Sequence, residues 1–192
     1  GESMTKPIIN LDTLADELTL PVIGAPMFIV SVPDLVVAQC TAGVVGTFPA
    51  TNGGRAEEGL DGWLTEIEDR NNHARSQGAY VAPHGVNLIV HKSNENLDKD
   101  LQTIVEHRVP LVITSVGKPG DIAKAVHSYG GILFHDVTNM RHARKAVDSG
   151  ADGLILVCGG AGGHAGTLNP FALVPEALAE FDMPLILSGA IS

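Results

Sequence analysis

Short apolar runs alternate with longer amphipathic segments along this chain, separated by loops rich in Gly, Pro and Asn. The apolar runs are 22–27, 44–48, 86–90, 111–115, 132–135, 153–157 and 185–187. Each is short and apolar on both faces, the pattern of parallel strands covered by helices rather than of half-solvated antiparallel ones. The segments between them carry apolar residues at helical spacing. A helix is predicted from Pro33, bearing Leu35, Val36, Val37 and Ala38. Segment 60–77 lines up Trp63, Leu64 and Ile67, and segment 96–107 lines up Leu97, Leu101, Ile104 and Val105. Pro119 is placed just inside the next helix start, where its missing N–H costs nothing, with Ile122, Ala125 and Val126 as the apolar side. Segment 139–149 stops at Gly150, a residue suited to a helix C-terminus, and 170–181 is the last helix.

Seven strand–helix repeats with no long linker predict one domain spanning residues 1–192. The fold class is α/β, either a doubly wound sheet or a (β/α)8 barrel. A whole barrel takes about 250 residues. The chain ends at Ser192, just after the seventh run. The barrel expectation is therefore a (β/α)8 TIM-type barrel truncated after its seventh strand, with a seven-stranded open sheet as the structural alternative. Gly1, Glu2 and Ser3 read as an expression remnant ahead of a natural Met4.

Composition changes this picture in a few places. Aromatic residues are only 4% of the chain, so the core must be built from Val, Ile, Leu and Ala. The formal charge of −10 argues against nucleic acid, whose binding needs clustered Lys and Arg. No run approaches the roughly 20 apolar residues of a membrane span. The amino terminus lacks the basic and apolar regions of a signal peptide. Cys40 and Cys158 make no disulfide framework, so a reducing cytoplasm is the expected location.

Ligands of parallel α/β folds sit at the carboxyl ends of the strands. The residues there are Pro26-Met27, Pro49-Ala50-Thr51-Asn52, Asn87, Ser115, His135-Asp136, the stretch 158–166, and Ser188-Gly189-Ala190. The stretch Cys158-Gly159-Gly160-Ala161-Gly162-Gly163-His164-Ala165-Gly166 is the densest signal. Its glycines allow close approach to a planar ligand and aim N–H groups at anionic oxygens. His164 is of the type that exchanges protons near neutral pH. Gly160, Gly162 and Ala165 match a dinucleotide fingerprint formally, but no helix opens directly from the loop, so that reading is set aside. Asn87 is either a ligand amide or a turn cap. His135 and Asp136 are either ligand contacts or a hydrogen-bonded structural pair. Ser188, Gly189 and Ala190 stand where barrels commonly hold phosphate. The remaining histidines show no metal-ligand spacing, and no hydrolase elbow or P-loop is present.

These residues resemble the nitronate monooxygenase (2-nitropropane dioxygenase) family. The resemblance rests on Gly24-Ala25-Pro26-Met27, Ala42-Gly43-Val44-Val45-Gly46 and Gly85-Val86-Asn87-Leu88. Arg141-His142-Ala143-Arg144-Lys145-Ala146, Gly150-Ala151-Asp152-Gly153, the Gly-Gly-His loop and Ser188-Gly189-Ala190 continue it in order. It implies an FMN-binding (β/α)8 barrel acting on small nitronates or nitroalkanes with O2. By the same resemblance Ala25, Pro26 and Met27 would line the flavin ring and Asn87 would hydrogen-bond it. His135 and Asp136 would lie near the cofactor, Gly162 and Gly163 would approach it, and His164 would be the catalytic base. Ser188, Gly189 and Ala190 would supply half of the phosphate cradle. Gly160 stands where many relatives carry an acidic residue, so substrate preference is expected to differ. The alternatives are an FMN-dependent enoyl-acyl-carrier-protein reductase, which shares the barrel and a similar loop, and a non-catalytic flavin- or phosphate-binding fragment.

Overall fold

The computed structural model describes residues 8–161 and 166–189. Six strands form one parallel sheet: β1 (Gly46–Pro49), β2 (His84–Ile89), β3 (Leu111–Ser115), β4 (Ile132–Val137), β5 (Gly153–Val157) and β6 (Leu185–Ser188). The helices are α1 (Leu11–Glu17), α2 (Pro33–Thr41), α3 (Ala50–Gly53), α4 (Gly59–Ser76), α5 (Leu97–Glu106), α6 (Gly120–Ser128), α7 (Met140–Asp148) and α8 (Pro170–Glu180). Strand order in space follows strand order in sequence from β1 to β6. A doubly wound sheet requires a reversal point, and the six described strands contain none. Right-handed crossovers in one direction stack their helices on one face and curl the sheet into a half-barrel.

The period-two alternation of each strand sorts its side chains between two apolar clusters. The convex cluster joins Val86, Leu88, Val112, Leu133, Leu154 and Leu156 to the helices through Val36, Leu64, Ile67, Ile104, Val126 and Leu173. The concave cluster contains Val45, Leu111, Ile113, Ile132, Phe134, Ile155 and Val157. Leu11, Leu14 and Leu18 in and just after α1 pack on it, beside Ile9. Ile8 N donates to Gly130 O (2.8 Å), just before β4, and Thr19 N donates to Gly43 O (2.9 Å). Helix α1 thus closes the amino end of the concave face, leaving the carboxyl rim for chemistry.

Several local signals hold. Asn139 caps α7 by accepting from His142 N (2.9 Å), and Asn169 caps α8 by accepting from Phe171 N (2.8 Å) ahead of Pro170. Each such cap is worth about 1 kcal/mol. Others are corrected. The run 22–27 makes one parallel bridge, Ile23 with Val45, rather than a strand, so the described residues hold six strands instead of seven. Gly24 N still donates to Val45 O (2.7 Å), but Pro26 two residues on has no N–H to continue the ladder. Pro119 is the residue before α6 rather than its first turn. Helices α1 and α3 lie where no element was expected; α1 has seven residues and α3 four, too short to show a helical period. No helix among the described residues is long and apolar enough to cross a membrane.

Three histidines make folding pH-dependent in opposite senses. Burial pushes His84 and His135 down to about 4. Both stay neutral in the fold and gain protons on unfolding below the ordinary value near 6.5. The stability they contribute is present above pH 6.5 and lost as pH falls toward 4. His107 joins α5 to α4, with Nδ1 3.0 Å from Glu68 Oε2 and Nε2 2.7 Å from Asp61 Oδ1. Burial works to lower its pKa, but the two carboxylates outweigh it and the net shift is upward. That contribution is present below pH 6.5 and lost as pH rises through the raised value. Urea midpoints across pH 4–9 are expected to show a shallower acid limb in His135→Gln. In His107→Gln the decline above pH 6.5 should be the part that flattens. Unchanged profiles in both variants would contradict these assignments.

Candidate functional site

The carboxyl rim is built first around Asn52. Strand β1 ends at Pro49 and passes directly into α3, which carries Asn52 beneath the segment 27–31. Asn52 is only 6% exposed. Its Nδ2 donates to Met27 O (3.0 Å) and Ser31 O (3.0 Å), and its Oδ1 accepts from Ile29 N (3.2 Å). Ser31 is fully buried; its Oγ accepts from Met27 N (2.8 Å) and donates to Ala25 O (3.4 Å). Because the polar groups of this segment turn inward, Met27, Phe28, Ile29 and Val30 project outward as an exposed apolar shelf. The Arg55 guanidinium lies 4.5 Å over the Phe28 ring, a cation–π contact at the rim. Of the expected ring-lining residues, Ala25 and Met27 are exposed and Pro26 is half-buried.

Two residues at this rim adopt backbone conformations that their side chains disfavour. Ile29 has φ 67° and Val116, the residue after β3, has φ 62°. A β-branched residue in the left-handed region is a real outlier, costing on the order of 1–3 kcal/mol, and such strain gathers at functional sites. Gly117 follows with φ 76°, and a Cβ there would overlap Val90 O. Gly117→Ala is expected to destabilise the fold by about 2 kcal/mol or more, through both the φ penalty and the overlap. A urea melt checks it; a neutral result would mean that this turn relaxes freely.

A polar row crosses three strands on the concave side. Asn87 shares its face with Ile113, its register partner, and Asp136 shares its face with Ile155. Asn87 Nδ2 donates to Ser115 Oγ (2.8 Å) and to Ile113 O (3.2 Å). Ser115 Oγ donates to Asp136 Oδ2 (2.5 Å). Burial pushes the Asp136 carboxyl above its ordinary range, and the Ser115 hydrogen bond opposes that shift. His135 points the other way. It is buried on the convex side with Nδ1 2.7 Å from Thr114 Oγ1, where burial and the charge of His142 hold its pKa down. Successive strand residues face opposite sides, so His135 and Asp136 do not form a hydrogen-bonded pair with each other: His135 meets Thr114 and Asp136 meets Ser115.

The ends of β5 and β6 meet backbone to backbone. Cys158 N donates to Ser188 O (2.9 Å), Gly159 N to Leu168 O (2.9 Å), and Ala161 N to Cys158 O (3.2 Å). Gly189 has φ 119°, and a Cβ on it would lie 2.9 Å from Cys158 O and 3.0 Å from Ala161 N. Only glycine fits there. Ser188 shares the concave face with Ile186 and Val157. Gly162, Gly163, His164 and Ala190, all expected at the site, lie outside the described residues. A hollow of about 300 Å³ adjoins this stem, lined by Thr138, Asn139, Gly166, Thr167 and Leu168. Among the described residues, no group of three or more His, Cys, Asp or Glu side chains is arranged to hold a metal ion.

Position after a strand marks Asn52 and Ser115 in the sequence, but not which residues they bond to. The strained Ile29 and Val116 carry no sequence signal, because left-handed conformations are foreseen only at Gly, Asn or Asp.

A singly wound parallel half-barrel with polar groups on a concave carboxyl rim is of the TIM-barrel class. Within that class the chain belongs to the nitronate monooxygenase family, whose model matches residues 12–192. It is 23% identical over 169 residues to (3aS,4S,5R,7aS)-5-hydroxy-7a-methyl-1-oxo-octahydro-1H-indene-4-carboxyl-CoA dehydrogenase of Rhodococcus jostii, covering 88% of this chain and 44% of that protein. FabK from Thermotoga maritima matches with a TM-score of 0.75 and 23% identity, over 93% of this chain and 54% of that one. Nitroalkane oxidase from Streptomyces ansochromogenes matches with a TM-score of 0.77 and 22% identity, over 91% of this chain and 60% of that one. The chain therefore spans about half the length of these relatives.

Proposed function

We propose that this chain forms the flavin-binding part of an FMN-dependent enzyme that oxidises alkyl nitronates or nitroalkanes with O2 to carbonyl compounds and nitrite. Its six strands belong, in this reading, to a (β/α)8 barrel. The observation that carries the reading is the Asn87–Ser115–Asp136 row on the concave rim, set between an apolar shelf and a glycine-built stem. The apolar cluster of the concave face is built from Ile, Leu, Val and Phe, and this row gives a planar heterocycle at its rim three polar side chains in reach of one another.

The residues suit FMN on chemical grounds. Among the described residues no donor reaches Asn87 Oδ1, which is therefore available to a ring N–H. The backbone of Ala25, Pro26 and Met27 and the apolar shelf would cover the ring, and Asp136 would lie near it. Ser188, Gly189 and Ala190 would offer a hydroxyl and backbone N–H groups to the phosphate. Gly162 and Gly163 would allow close approach. When bound, FMN supplies the redox capacity, taking electrons from the substrate and delivering them to O2. His164 would remove the proton on the carbon α to the nitro group, as a general base. Nitronate and O2 are the partners in this proposal; the acidic composition does not favour nucleic acid, and the expected location is cytoplasmic.

An FMN-dependent enoyl-acyl-carrier-protein reductase is the second reading. The fold likeness to FabK is as strong as that to nitroalkane oxidase and does not favour either chemistry. A visible spectrum with and without added FMN, followed by oxygen uptake with a nitronate, tests the proposal. Flavin binding with oxygen consumption in the absence of NAD(P)H is the expected result. NAD(P)H oxidation driven by an enoyl thioester, without nitronate turnover, would overturn it in favour of the reductase. A chain that binds FMN and catalyses neither reaction would point to a non-catalytic flavin-binding module.

A further inference from the structure

We infer that Ser115 and Asp136 are positioning residues that fix the polarity of the Asn87 amide, so that this point of the rim recognises a ligand N–H donor and not an acceptor. Ile113 O can only accept, so the Asn87 side-chain atom 3.2 Å from it is the NH2 group. The second N–H of that group meets Ser115 Oγ at 2.8 Å. A serine hydroxyl has one hydrogen, and here it goes to Asp136 Oδ2 at 2.5 Å. Ser115 is left with lone pairs toward Asn87, which can then only donate to it. The direction is set along the whole row, from Asn87 N–H to Ser115 O–H to the Asp136 carboxyl. The amide carbonyl Oδ1 is the atom left over. A side-chain amide is ordinarily ambivalent, able to swap oxygen and nitrogen to suit its ligand. This one is committed by three groups on two neighbouring strands.

The row also couples Asn87 to a titrating group. Asp136 is largely buried, and its carboxyl is displaced upward from the ordinary range. Protonating it weakens its hold on the Ser115 hydrogen and releases the constraint on Asn87. The ligand half of the inference rests on the flavin reading, in which the N–H is the imide N–H of the pyrimidine ring. The relay half does not.

Two measurements on the full chain separate them. The first follows the Asn87 side-chain NH2 signals by 15N–1H NMR through an acid titration, without ligand. The signals should shift with a midpoint above the usual aspartate value, and the step should vanish in Asp136→Asn while the remaining spectrum stays that of a folded protein. Signals that ignore the titration, or that titrate identically in Asp136→Asn, overturn the relay. The second compares the affinities of FMN and N3-methyl-FMN by quenching of flavin fluorescence. The unmodified flavin should bind about tenfold tighter, the worth of one hydrogen bond. Asp136→Asn and Ser115→Ala should each reduce that ratio severalfold. Equal affinities in the parent chain, or a ratio untouched by both variants, overturn the donor specificity. Failure of both flavins to bind while the NMR relay is intact refutes the flavin reading and leaves the relay standing.

Discussion

Replacing His164 by asparagine is expected to lower turnover of a neutral nitroalkane by 10²–10⁴-fold while costing a preformed nitronate less than about tenfold. The asymmetry follows from what each substrate requires. A nitroalkane must lose a carbon-bound proton before its electrons become available, and His164 is the proposed acceptor. A nitronate arrives already deprotonated. The loss on the first substrate corresponds to about 3–5 kcal/mol of barrier, at 1.36 kcal/mol per factor of ten. Asparagine keeps a polar, similarly sized side chain but offers no base. Steady-state oxygen uptake with both substrates, across pH, measures the split. Equal losses on the two substrates would mean that His164 binds or positions rather than abstracts.

The second large effect is structural. Asn52→Ala should destabilise the protein by about 3 kcal/mol, because it strands three backbone groups at once: Met27 O, Ser31 O and Ile29 N. Each buried group left unpaired costs about 1–3 kcal/mol, reduced where the segment can shift to reach water. For a domain of this size the change corresponds to a melting temperature lower by roughly 10 °C. Asn52→Asp sharpens the test. It keeps an acceptor for Ile29 N–H but removes both donors and turns a carboxylate toward two carbonyls, so it should be no milder than alanine. A loss below about 1 kcal/mol in both variants would show that the shelf is held by its own backbone turn.

Which parts of this molecule were legible from its sequence follows from how redundant the signals are. The runs 111–115 and 153–157 coincide with β3 and β5 because both faces of those strands are buried and no other element tolerates so short an apolar run. The run 22–27 looks similar by hydropathy, yet it makes only one bridge, and Pro26 has no N–H to extend it. The position of the rim was readable, since parallel strands end where helices begin; Asn52, Asn87, Ser115 and Asp136 were all marked by that rule alone. Their sidedness was not. In β4, Leu133 faces the helices and Phe134 faces the concave side, and both are buried. A strand apolar on both sides gives no cue to whether His135 or Asp136 looks inward. The partners of Asn52 lie 21–25 residues back along the chain, a separation that no local pattern encodes.

The strand order has a further consequence, for how the molecule assembles. Among the described residues, each strand of the sheet pairs with its immediate neighbours in sequence. As the chain leaves the ribosome, every newly completed strand finds its partner already made, at one growing edge. No long loop must close before the next pairing can form, and loop closure is the entropic step that slows sheets built from distant strands. Helix α1 is synthesised early, but apart from Ile9, Ile23 and Val45 the cluster it packs on, from Leu111 to Val157, comes about a hundred residues or more later. The cluster that α1 covers is therefore complete only after the later strands have formed. The rim and its polar row would be laid down progressively with the strands, while the closing of the opposite end comes as a late, separate event.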